Sequence, residues 1–432
     1  MMRYLLTFIL LGFCSASQAV LNIEITEGVE GSLPIAVVPF QWTGGVKFAN
    51  ADVSAIIASD LARSGKFSPL PNKDLVAYPK QPEDVHFPSW RMIGVDHLVI
   101  GGVKQEAPDQ YLVHFRLFDV LKGEQLLGYS FAATRSSLRS VAHRVSDHII
   151  KSLTGLTGAF DARISYVTAR QSPATKGVTY LLQAADTDGF NAQNLLTSSE
   201  PIMSPAWSPD GEQLAYVSFE HGIAEIFIHN IYTAKRELVS KFKGINGAPA
   251  WSPDGTRLAI TLSKDGNPDI YILDLVSKSL TRITKHWSID TEAVWMPDGK
   301  SLVFTSSRSG KPQLYQIAVA VNARPKRLTF EGNYNANASI SSDGKTVCFV
   351  KGENNSFKVA VLYLDTGLIQ IVTDGPLDES PEFSPNGSMI LYASQYKGKP
   401  VLEAVSTDGR HKQRLGLSDG EVREPAWSAV KK

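Results

Sequence analysis

The sequence predicts a small α/β domain followed by an all-β six-bladed β-propeller. The propeller is predicted by a seven-residue stretch, Pro-Ala-Trp-Ser-Pro-Asp-Gly at residues 249–255, that recurs intact or eroded along the C-terminal two-thirds of the chain. A period in this range is typical of propeller blades in a β-rich sequence. The anchors of the repeat are aromatic or apolar and lie 43 to 45 residues apart, at Trp207, Trp251, Trp295, Ile340, Phe383 and Trp427.

Each repeat contains four predicted strands separated by turns. In the copy that begins at Trp251, Ser-Pro-Asp-Gly predicts the first turn, because proline presets φ, aspartate bonds its own backbone and glycine accepts a positive φ. Segments rich in β-branched and aromatic residues follow at 257–261, 269–273 and 280–284. Together with the short strand at Trp251 they make up one blade.

The two ends of the array are complementary half-repeats. The last copy ends five residues after Trp427, so it supplies only a first strand. The first copy begins at residues 163–167 and has no Trp-Ser-Pro-Asp-Gly before it. We therefore predict that the strand at Trp427 pairs with residues 163–167 and completes a sixth blade. Closing the ring in this way removes open strand edges that would promote aggregation.

Residues 1–19 have the pattern of a secretory signal peptide. Arg3 precedes a short apolar run, and Ser17 and Ala19 occupy the small-residue positions of a cleavage site. The apolar run is about ten residues, and a membrane span needs about twenty. Bulky Phe13 before Cys14 argues against lipid attachment. We expect cleavage after Ala19 and an exported, soluble monomer.

The mature chain divides into three predicted parts: an N-terminal segment at 20–33, an α/β domain at 34–156 and the propeller at 157–432. In the α/β domain, strands are predicted at 34–40, 96–101, 111–119 and 125–133, and helices at 51–63 and 137–153. This order predicts a mixed sheet covered by helices.

The N-terminal segment has the period of a half-buried strand. Leu21, Ile23 and Ile25 alternate with polar residues, and Gly28 and Gly31 follow. The gain from burying three aliphatic side chains and the cost of ordering the segment nearly cancel. Two interpretations stay open. The segment is either a permanent first strand of the α/β sheet, or it docks on its own protein and leaves to add a strand to a partner.

The composition gives little support for binding to nucleic acid or membranes. The chain has 43 basic and 43 acidic side chains, so no excess of positive charge favours nucleic acid or an anionic membrane surface. After removal of the leader the only cysteine is Cys348, which takes the strand position of Ala215 and Ala259 in other blades. We expect a buried apolar role for it.

The motifs of enzymes and metal sites are mostly missing. Residues 416–420 match the G-x-S-x-G pattern of serine hydrolases, but only twelve residues follow and none is histidine. His143 and His148 lie five apart on a predicted helix, about 140° from each other, so they cannot bind one ion from one face. The repeated Asp-Gly aspartates are explained by the turns. From the sequence we predict no catalytic residue, cofactor or metal site.

The leader, the α/β domain and the six blades, in this order, resemble the TolB family of the Tol-Pal system. The most specific agreement lies in residues 34–42, 60–67, 203–211 and 246–250. The resemblance implies a non-enzymatic periplasmic adaptor that binds the lipoprotein Pal through the propeller and TolA through the N-terminus. It also implies a role in outer-membrane integrity and in constriction during division. The Pal-contacting histidine of the family corresponds to Ile245 here.

Two sites follow from this resemblance and from the repeat. We expect Pal over one mouth of the propeller channel, lined by residues just before the innermost strands: Asn246, Gly247, Ala248, Asp290, Thr291, Glu292, Glu379 and Ser380. We expect TolA at the N-terminal segment, comprising Val20, Leu21, Asn22, Ile23, Glu24, Ile25 and Thr26. The alternative from another class is a periplasmic propeller enzyme or carbohydrate-binding protein with its site in the central channel.

Overall fold

The protein, seen in a computed structural model, consists of an α/β domain packed on a ring of six β-sheet blades. The structure describes residues 21–27, 31–44, 48, 51–171, 177–320, 322–417 and 420–430. The predicted leader and Val20 lie outside these residues, as do Ser418 and Asp419 of the G-x-S-x-G match. No helix in the described part of the chain has both the length and the apolarity to cross a membrane.

The α/β domain is built on a mixed sheet in the strand order β4-β2-β5-β6-β7, with β3 also paired to β5. Three pairs are parallel: β2 with β4, β2 with β5, and β3 with β5. The pairs β5 with β6 and β6 with β7 are antiparallel. The elements that precede the propeller are β1 (Leu21–Glu27), β2 (Leu33–Val37), β3 (Gln41–Thr43), α1 (Val53–Arg63), β4 (Phe67–Pro69), α2 (Phe87–Met92), β5 (His97–Ala107), β6 (Gln110–Asp119), β7 (Glu124–Ala133) and α3 (Leu138–Thr154).

The two long helices form where the sequence predicts them. Asp52 caps α1 by accepting the Ala55 N–H, and α3 ends at Gly155, whose positive φ of 76° suits a helix C-cap. Both helices bury apolar side chains in one core with the sheet. Strands β3 and β4 and helix α2 were not predicted, because three to six residues are too few to show a period. Helix α2 packs Trp90 on the other face of the sheet.

The propeller strands follow in sets of four. We number the blades by the chain order of their innermost strands. Blade 6 therefore combines the last strand of the propeller with the first three strands of the propeller. Blade 1 is β11 to β14, blade 2 is β15 to β18, blade 3 is β19 to β22, blade 4 is β23 to β26, blade 5 is β27 to β30, and blade 6 is β31 with β8, β9 and β10. Their bounds are β8 (Arg163–Gln171), β9 (Val178–Asp186), β10 (Gln193–Ser198), β11 (Ile202–Trp207), β12 (Gln213–Ser218), β13 (Glu225–Asn230), β14 (Arg236–Ser240), β15 (Asn246–Trp251), β16 (Arg257–Leu262), β17 (Asp269–Asp274), β18 (Leu280–Arg282), β19 (Asp290–Trp295), β20 (Ser301–Ser306), β21 (Gln313–Ala318), β22 (Lys326–Arg327), β23 (Tyr334–Ile340), β24 (Thr346–Glu353), β25 (Ser356–Tyr363), β26 (Ile369–Ile371), β27 (Glu379–Phe383), β28 (Met389–Tyr396), β29 (Lys399–Ser406), β30 (Lys412–Leu417) and β31 (Glu421–Trp427).

Hydrogen bonds within the repeated motif explain why it recurs. Ser252 Oγ donates to Asp254 Oδ1 at 2.5 Å and accepts the Arg257 N–H at 3.0 Å, and Gly255 follows with a φ of 72°. These bonds close the turn between the first and second strands. The Trp251 indole N–H donates to the Ala206 carbonyl of the preceding blade at 3.1 Å, and Trp295 repeats this bond to Ala250. The motif therefore closes this turn, and in blades 2 and 3 its tryptophan also ties the blade to the preceding one.

The ring closes as predicted. Strand β31 pairs with β8 in antiparallel register, with Trp427 opposite Ile164. Ser428 extends the pairing, because its N–H donates to the Arg163 carbonyl and its hydroxyl accepts the Arg163 N–H, both at 2.8 Å. Each of the six interfaces between consecutive blades is filled by one apolar cluster. Cys348 is fully buried in one of them, as expected, and burial raises the pKa of its thiol.

The N-terminal strand β1 does not join the α/β sheet. It pairs with β30 in antiparallel register, Glu24 opposite Arg414, and becomes the fifth strand of blade 5 in the order β1-β30-β29-β28-β27. The interpretation of this segment as the first strand of the α/β sheet is therefore wrong. Burial of Ile25 is also not observed, since that side chain is 42% exposed. Glu24, Ile25 and Thr26 are all exposed, so both faces and the outer edge of the strand are open to solvent at these residues.

Deletion of residues 424–432 tests the contribution of ring closure. The deletion removes Ala426 and Trp427 from the interface between blades and exposes two strand edges. We expect it to lower the free energy of unfolding by about 3–5 kcal/mol, the usual cost of removing a large buried side chain, and to promote aggregation. Urea and thermal denaturation measure the effect. A control that lacks only residues 430–432 should melt like the parent. An unchanged melting temperature in the longer deletion would contradict the closure model.

Candidate functional site

A cavity of about 930 Å³ lies on the propeller axis and is lined by the innermost strands of all six blades. Its wall also includes Phe219 and Ile223, which lie between the second and third strands of blade 1. It includes the loop 242–245 as well, which leads into the innermost strand of blade 2. In an antiparallel blade these connections share one face, and the turns after the first and third strands share the other. The cavity therefore opens on the face where the innermost strands begin, which we call the channel mouth.

Six residues with left-handed backbone surround the cavity, one on each innermost strand. Each strand carries a β-bulge at this point, so its pairing with the second strand shifts register. Left-handed φ values at residues other than glycine cost of order 1–3 kcal/mol and cluster at functional sites. The six, with φ between 45° and 54°, are Ser204, Ala248, Glu292, Asn337, Ser380 and Glu424. All six line the cavity.

The structure brings together six of the eight residues predicted for the channel mouth. Those that line the cavity are Asn246, Gly247, Ala248, Thr291, Glu292 and Ser380. Glu379 is exposed beside Ser380 but does not line it. Asp290 is fully buried, where it accepts hydrogen bonds from Arg308 at 2.7 Å and from Ser306 at 2.6 Å. The expectation that Asp290 lines the mouth is therefore wrong, because it belongs to an internal ion pair.

The cavity-wall residues that sequence reasoning missed include Ser204, Asn337, Glu382 and Glu424. Three of them hold the left-handed position in their blades. The repeat period would have found them, because Ser204, Asn337 and Glu424 are separated from Ala248, Glu292 and Ser380 by 43 to 45 residues. Residue type gave no indication, since serine, asparagine and glutamate are common at the protein surface.

Carboxyl groups dominate the electrostatics of the cavity. Burial raises the pKa of Glu382 to about 7 and also raises the pKa of Glu424, which lies near Glu379 and Glu292. Glu292 accepts the Asn337 N–H at 2.9 Å, and Glu424 accepts the Ser204 N–H at 3.2 Å, so each ties one bulge to that of the next blade. Lys243 is the one basic residue among the described residues of the wall. The cavity favours a cationic group.

Large apolar side chains are exposed along the rim of the channel mouth. They lie in the loops that lead into the innermost strands of blades 2, 3 and 4, and we call them the apolar arc. The arc consists of Phe242, Ile245, Trp287, Ile289 and Phe330, of which Trp287 is 80% exposed and Phe330 71% exposed. Exposed apolar surface of this extent marks a protein-binding site more often than a site for a small polar ligand.

A second candidate site is strand β1 itself. Its described contacts with the body of the protein are the backbone pairing with β30 and a hydrogen bond from Thr26 Oγ1 to the Lys412 carbonyl at 3.3 Å. It lies on the outer edge of blade 5, whose innermost strand begins at Glu379 and Ser380. One sheet therefore runs from the channel mouth to the N-terminal segment.

Comparison with known proteins identifies the family. The model of the TolB amino-terminal domain matches residues 21–126, and that of the TolB beta propeller domain matches residues 150–431. The chain belongs to the TolB family. The Tol-Pal system protein TolB of Xanthomonas campestris pv. campestris is 54% identical over 414 residues, which cover 95% of this chain and 94% of that protein. The protein of the same name from Xanthomonas oryzae pv. oryzae is also 54% identical over 414 residues.

A solved structure agrees with the fold over nearly the whole chain. The crystal structure of TolB from Acinetobacter baumannii is 41% identical, covers 95% of this chain and all of that chain, and superposes with a TM-score of 0.86. The resemblance inferred from the repeat and the α/β domain is thus confirmed. The chain is a component of the Tol-Pal system.

Substitution of Glu382 by glutamine tests the electrostatics of the cavity. The folded protein holds the carboxyl proton up to about pH 7, whereas the unfolded chain releases it near pH 4.5. Stability from this group is therefore fully present below pH 4.5 and falls as the pH rises towards 7. We expect the stability of Glu382→Gln relative to the parent to increase by about 3 kcal/mol between pH 4 and pH 8. Urea denaturation at both values measures it. A pH-independent difference would contradict the raised pKa.

Proposed function

We propose that this chain is a non-enzymatic periplasmic adaptor of the Tol-Pal system, which binds Pal at the channel mouth and TolA through residues 20–26. Through these contacts it supports outer-membrane integrity and envelope constriction during cell division. The observation that carries the proposal is the apolar arc beside an acidic cavity at one face of the ring. We expect the mature protein to act as an exported monomer after cleavage at Ala19.

Binding of Pal at the mouth is supported by the shape and chemistry of that face. The apolar arc offers large side chains of the type that supply most of the binding energy in protein interfaces. The cavity next to it is deep enough to receive a protruding loop. Its carboxyl groups, Glu292, Glu382 and Glu424, would attract a basic side chain and fix its orientation. Ile245 in the arc extends the apolar surface where the family has a histidine.

Binding of TolA through the N-terminal segment is supported by the way β1 is held. Main-chain pairing with one strand is the contact that an extended peptide makes when it adds to a sheet edge. The same residues can make equivalent bonds to an edge strand of another protein. The exposed side chain of Ile25 shows that this strand is not sealed into the core. A segment held in this way can exchange one sheet for another at small net cost.

The two sites share blade 5, and this motivates a coupling between them. Pal at the mouth would contact Ser380 on the innermost strand, and β1 is the outermost strand of the same sheet. We propose that Pal occupancy changes how firmly β1 pairs with β30. Such coupling must be reciprocal, so TolA must change the affinity for Pal by the same factor.

An enzymatic or carbohydrate-binding function is the second candidate, and the observation that favours it is the presence of two half-buried carboxyl groups with raised pKa, Glu382 and Glu424. Glycoside hydrolysis uses two carboxyl groups, one of which is an acid with a raised pKa. The described residues of the cavity wall include no histidine and no cysteine, so they offer no Ser-His or Cys-His pair for peptide hydrolysis. Hydrolysis of glycans by the purified parent, lost in Glu382→Gln, would favour this alternative over the adaptor.

Replacement of Thr291 by arginine tests the Pal site. The substitution places a long charged side chain on the cavity wall in the centre of the proposed interface. We expect it to weaken Pal binding by about 100-fold, the scale of a hot-spot residue. Titration calorimetry with soluble Pal measures it. Val276→Arg is the matched control, because Val276 is 86% exposed in a turn on the opposite face. Equal affinity of the folded Thr291→Arg variant and the parent would contradict the proposed face.

Deletion of residues 20–26 tests the N-terminal segment and its coupling to the mouth. We expect the deletion to abolish TolA binding without loss of the fold. In the full chain, saturating Pal should change TolA affinity by about 5- to 150-fold, the usual range of allosteric coupling. Thr291→Arg should remove this effect of Pal and keep the intrinsic affinity for TolA. TolA binding that survives the deletion contradicts the role of the segment, and TolA affinity independent of Pal contradicts the coupling.

A further inference from the structure

The α/β domain meets blades 5 and 6 through buried polar groups on the face opposite the channel mouth. Arg63, at the end of α1, donates from Nη1 to the Thr187 carbonyl in the turn between β9 and β10 at 3.0 Å. The Arg63 carbonyl in turn accepts a hydrogen bond from Gln413 Nε2 at 2.5 Å and lies 3.1 Å from His411 Nε2. Beside this contact lies a group of one histidine and two aspartates from the two domains: His143, Asp186 and Asp188.

His143 on α3 is 1% exposed. One of its ring nitrogens has a hydrogen-bond partner and the other has none among the described residues. Nδ1 lies 2.8 Å from Asp60 Oδ2, a carboxylate that also accepts the Ser146 hydroxyl at 2.8 Å and pairs with Arg63. Nε2 has no hydrogen-bond partner among the described residues, although it lies 3.6 Å from Asp188 Oδ2. Despite burial, the carboxylates of Asp60 and Asp188 raise the pKa of His143, so in the metal-free protein Nε2 carries a proton that faces Asp188. A metal ion bound at Nε2 would take the place of that proton.

The ligand atoms are already gathered around one point. One atom from each of His143, Asp186 and Asp188 lies within 4.8 Å of the other two. Ligand atoms around a tetrahedral Zn²⁺ with bonds of about 2.0–2.1 Å are about 3.3 Å apart, so a contraction of at most about 1.5 Å completes the site. Asp188 is in a turn, where a side chain can rotate. The Asp60–His143 hydrogen bond is the arrangement in which a carboxylate orients a metal-binding histidine and raises its basicity.

The charge around this point also favours a cation. Five aspartates, residues 60, 147, 161, 186 and 188, meet at the domain interface, and the guanidinium groups of Arg63 and Arg139 are their arginine partners there. With Asp147 protonated and the pKa of His143 raised by Asp60 and Asp188, four carboxylates face two guanidiniums and one imidazolium. Arg139 pairs with Asp188 and stacks on the Phe190 ring at 3.9 Å, so an ion must share Asp188 with it. A divalent ion that displaces the imidazolium proton would balance the four carboxylates together with the two guanidiniums.

We propose that His143 Nε2, Asp186 and Asp188 bind a divalent transition metal ion, with water in the remaining position and Asp60 orienting the histidine. One imidazole and two carboxylates are hard to borderline donors that suit Zn²⁺ and similar ions. Because His143 comes from α3 and both aspartates come from the end of β9 and the turn after it, the ion would fasten the α/β domain to blade 6. Sequence spacing gave no indication of the site, since His143 lies more than 40 residues from the two aspartates.

Zn²⁺ titration of the tag-free mature chain, after treatment with a chelator, tests the proposal. We expect one Zn²⁺ per chain, and Co²⁺ at the same site should give visible absorption bands of four-coordinate geometry. His143→Gln should weaken Zn²⁺ binding at least 100-fold, and Asp60→Asn should weaken it by about 10- to 100-fold through loss of the orienting bond. His148→Gln is the matched control on the same helix, because His148 stacks on Tyr129 away from the aspartates.

A second readout separates metal binding from folding. Zn²⁺ should raise the melting temperature of the parent and of His148→Gln, and it should leave that of His143→Gln and Asp188→Asn unchanged. If His143→Gln does not fold, Asp188→Asn decides, since Asp188 lies in a turn with its side chain 14% exposed. The proposal is overturned if the parent binds no stoichiometric Zn²⁺, or if the folded His143→Gln or Asp188→Asn variant binds it as the parent does.

Discussion

The pairing of β31 with β8 is the contact on which the rest of the structure depends. It turns a row of repeats into a ring, and only in a ring do six innermost strands begin around one axis. The cavity, its six left-handed residues and its carboxyl groups all exist because of that convergence. The α/β domain is mounted beside the same seam, since it contacts blade 5 through His411 and Gln413 and blade 6 through Thr187.

Most of the propeller could be predicted from the sequence because its repeat is built from local chemistry. Ser-Pro-Asp-Gly forms its turn through bonds within six residues, and the motif tryptophans Trp251 and Trp295 each bond the previous blade at the same place in the repeat. Where the tryptophan is replaced, as at Ile340 and Phe383, that bond cannot form, yet the spacing and the apolar anchor remain. Ring closure was also predictable, since two half-repeats can only be completed by each other.

The features that could not be predicted depend on contacts between distant residues. An alternating strand such as β1 fits any open sheet edge, and nothing in residues 21–27 distinguishes β30 from the α/β sheet. The left-handed positions at Glu292 and Asn337 are imposed by the bulge and not by the residue type. Asp290 resembles its exposed neighbours in sequence but is paired with Arg308 in the fold. The group of His143, Asp186 and Asp188 requires both domains to be in place.

The arrangement of these features indicates which part of the molecule is held firmly and which part can move, as the proposed coupling requires. The domain interface is fixed by buried ion pairs and by side-chain bonds to the backbone of Arg63, and breaking such a network leaves charges buried without partners. A rotation of the α/β domain would therefore be costly. Strand β1 is held mainly by backbone bonds at an edge, which water or another strand can replace. Four hydrogen-bonded strands of blade 5 join Ser380 to β1 without crossing the domain interface. In the proposed function the element that moves is therefore the N-terminal strand, whereas the α/β domain stays fixed on blades 5 and 6.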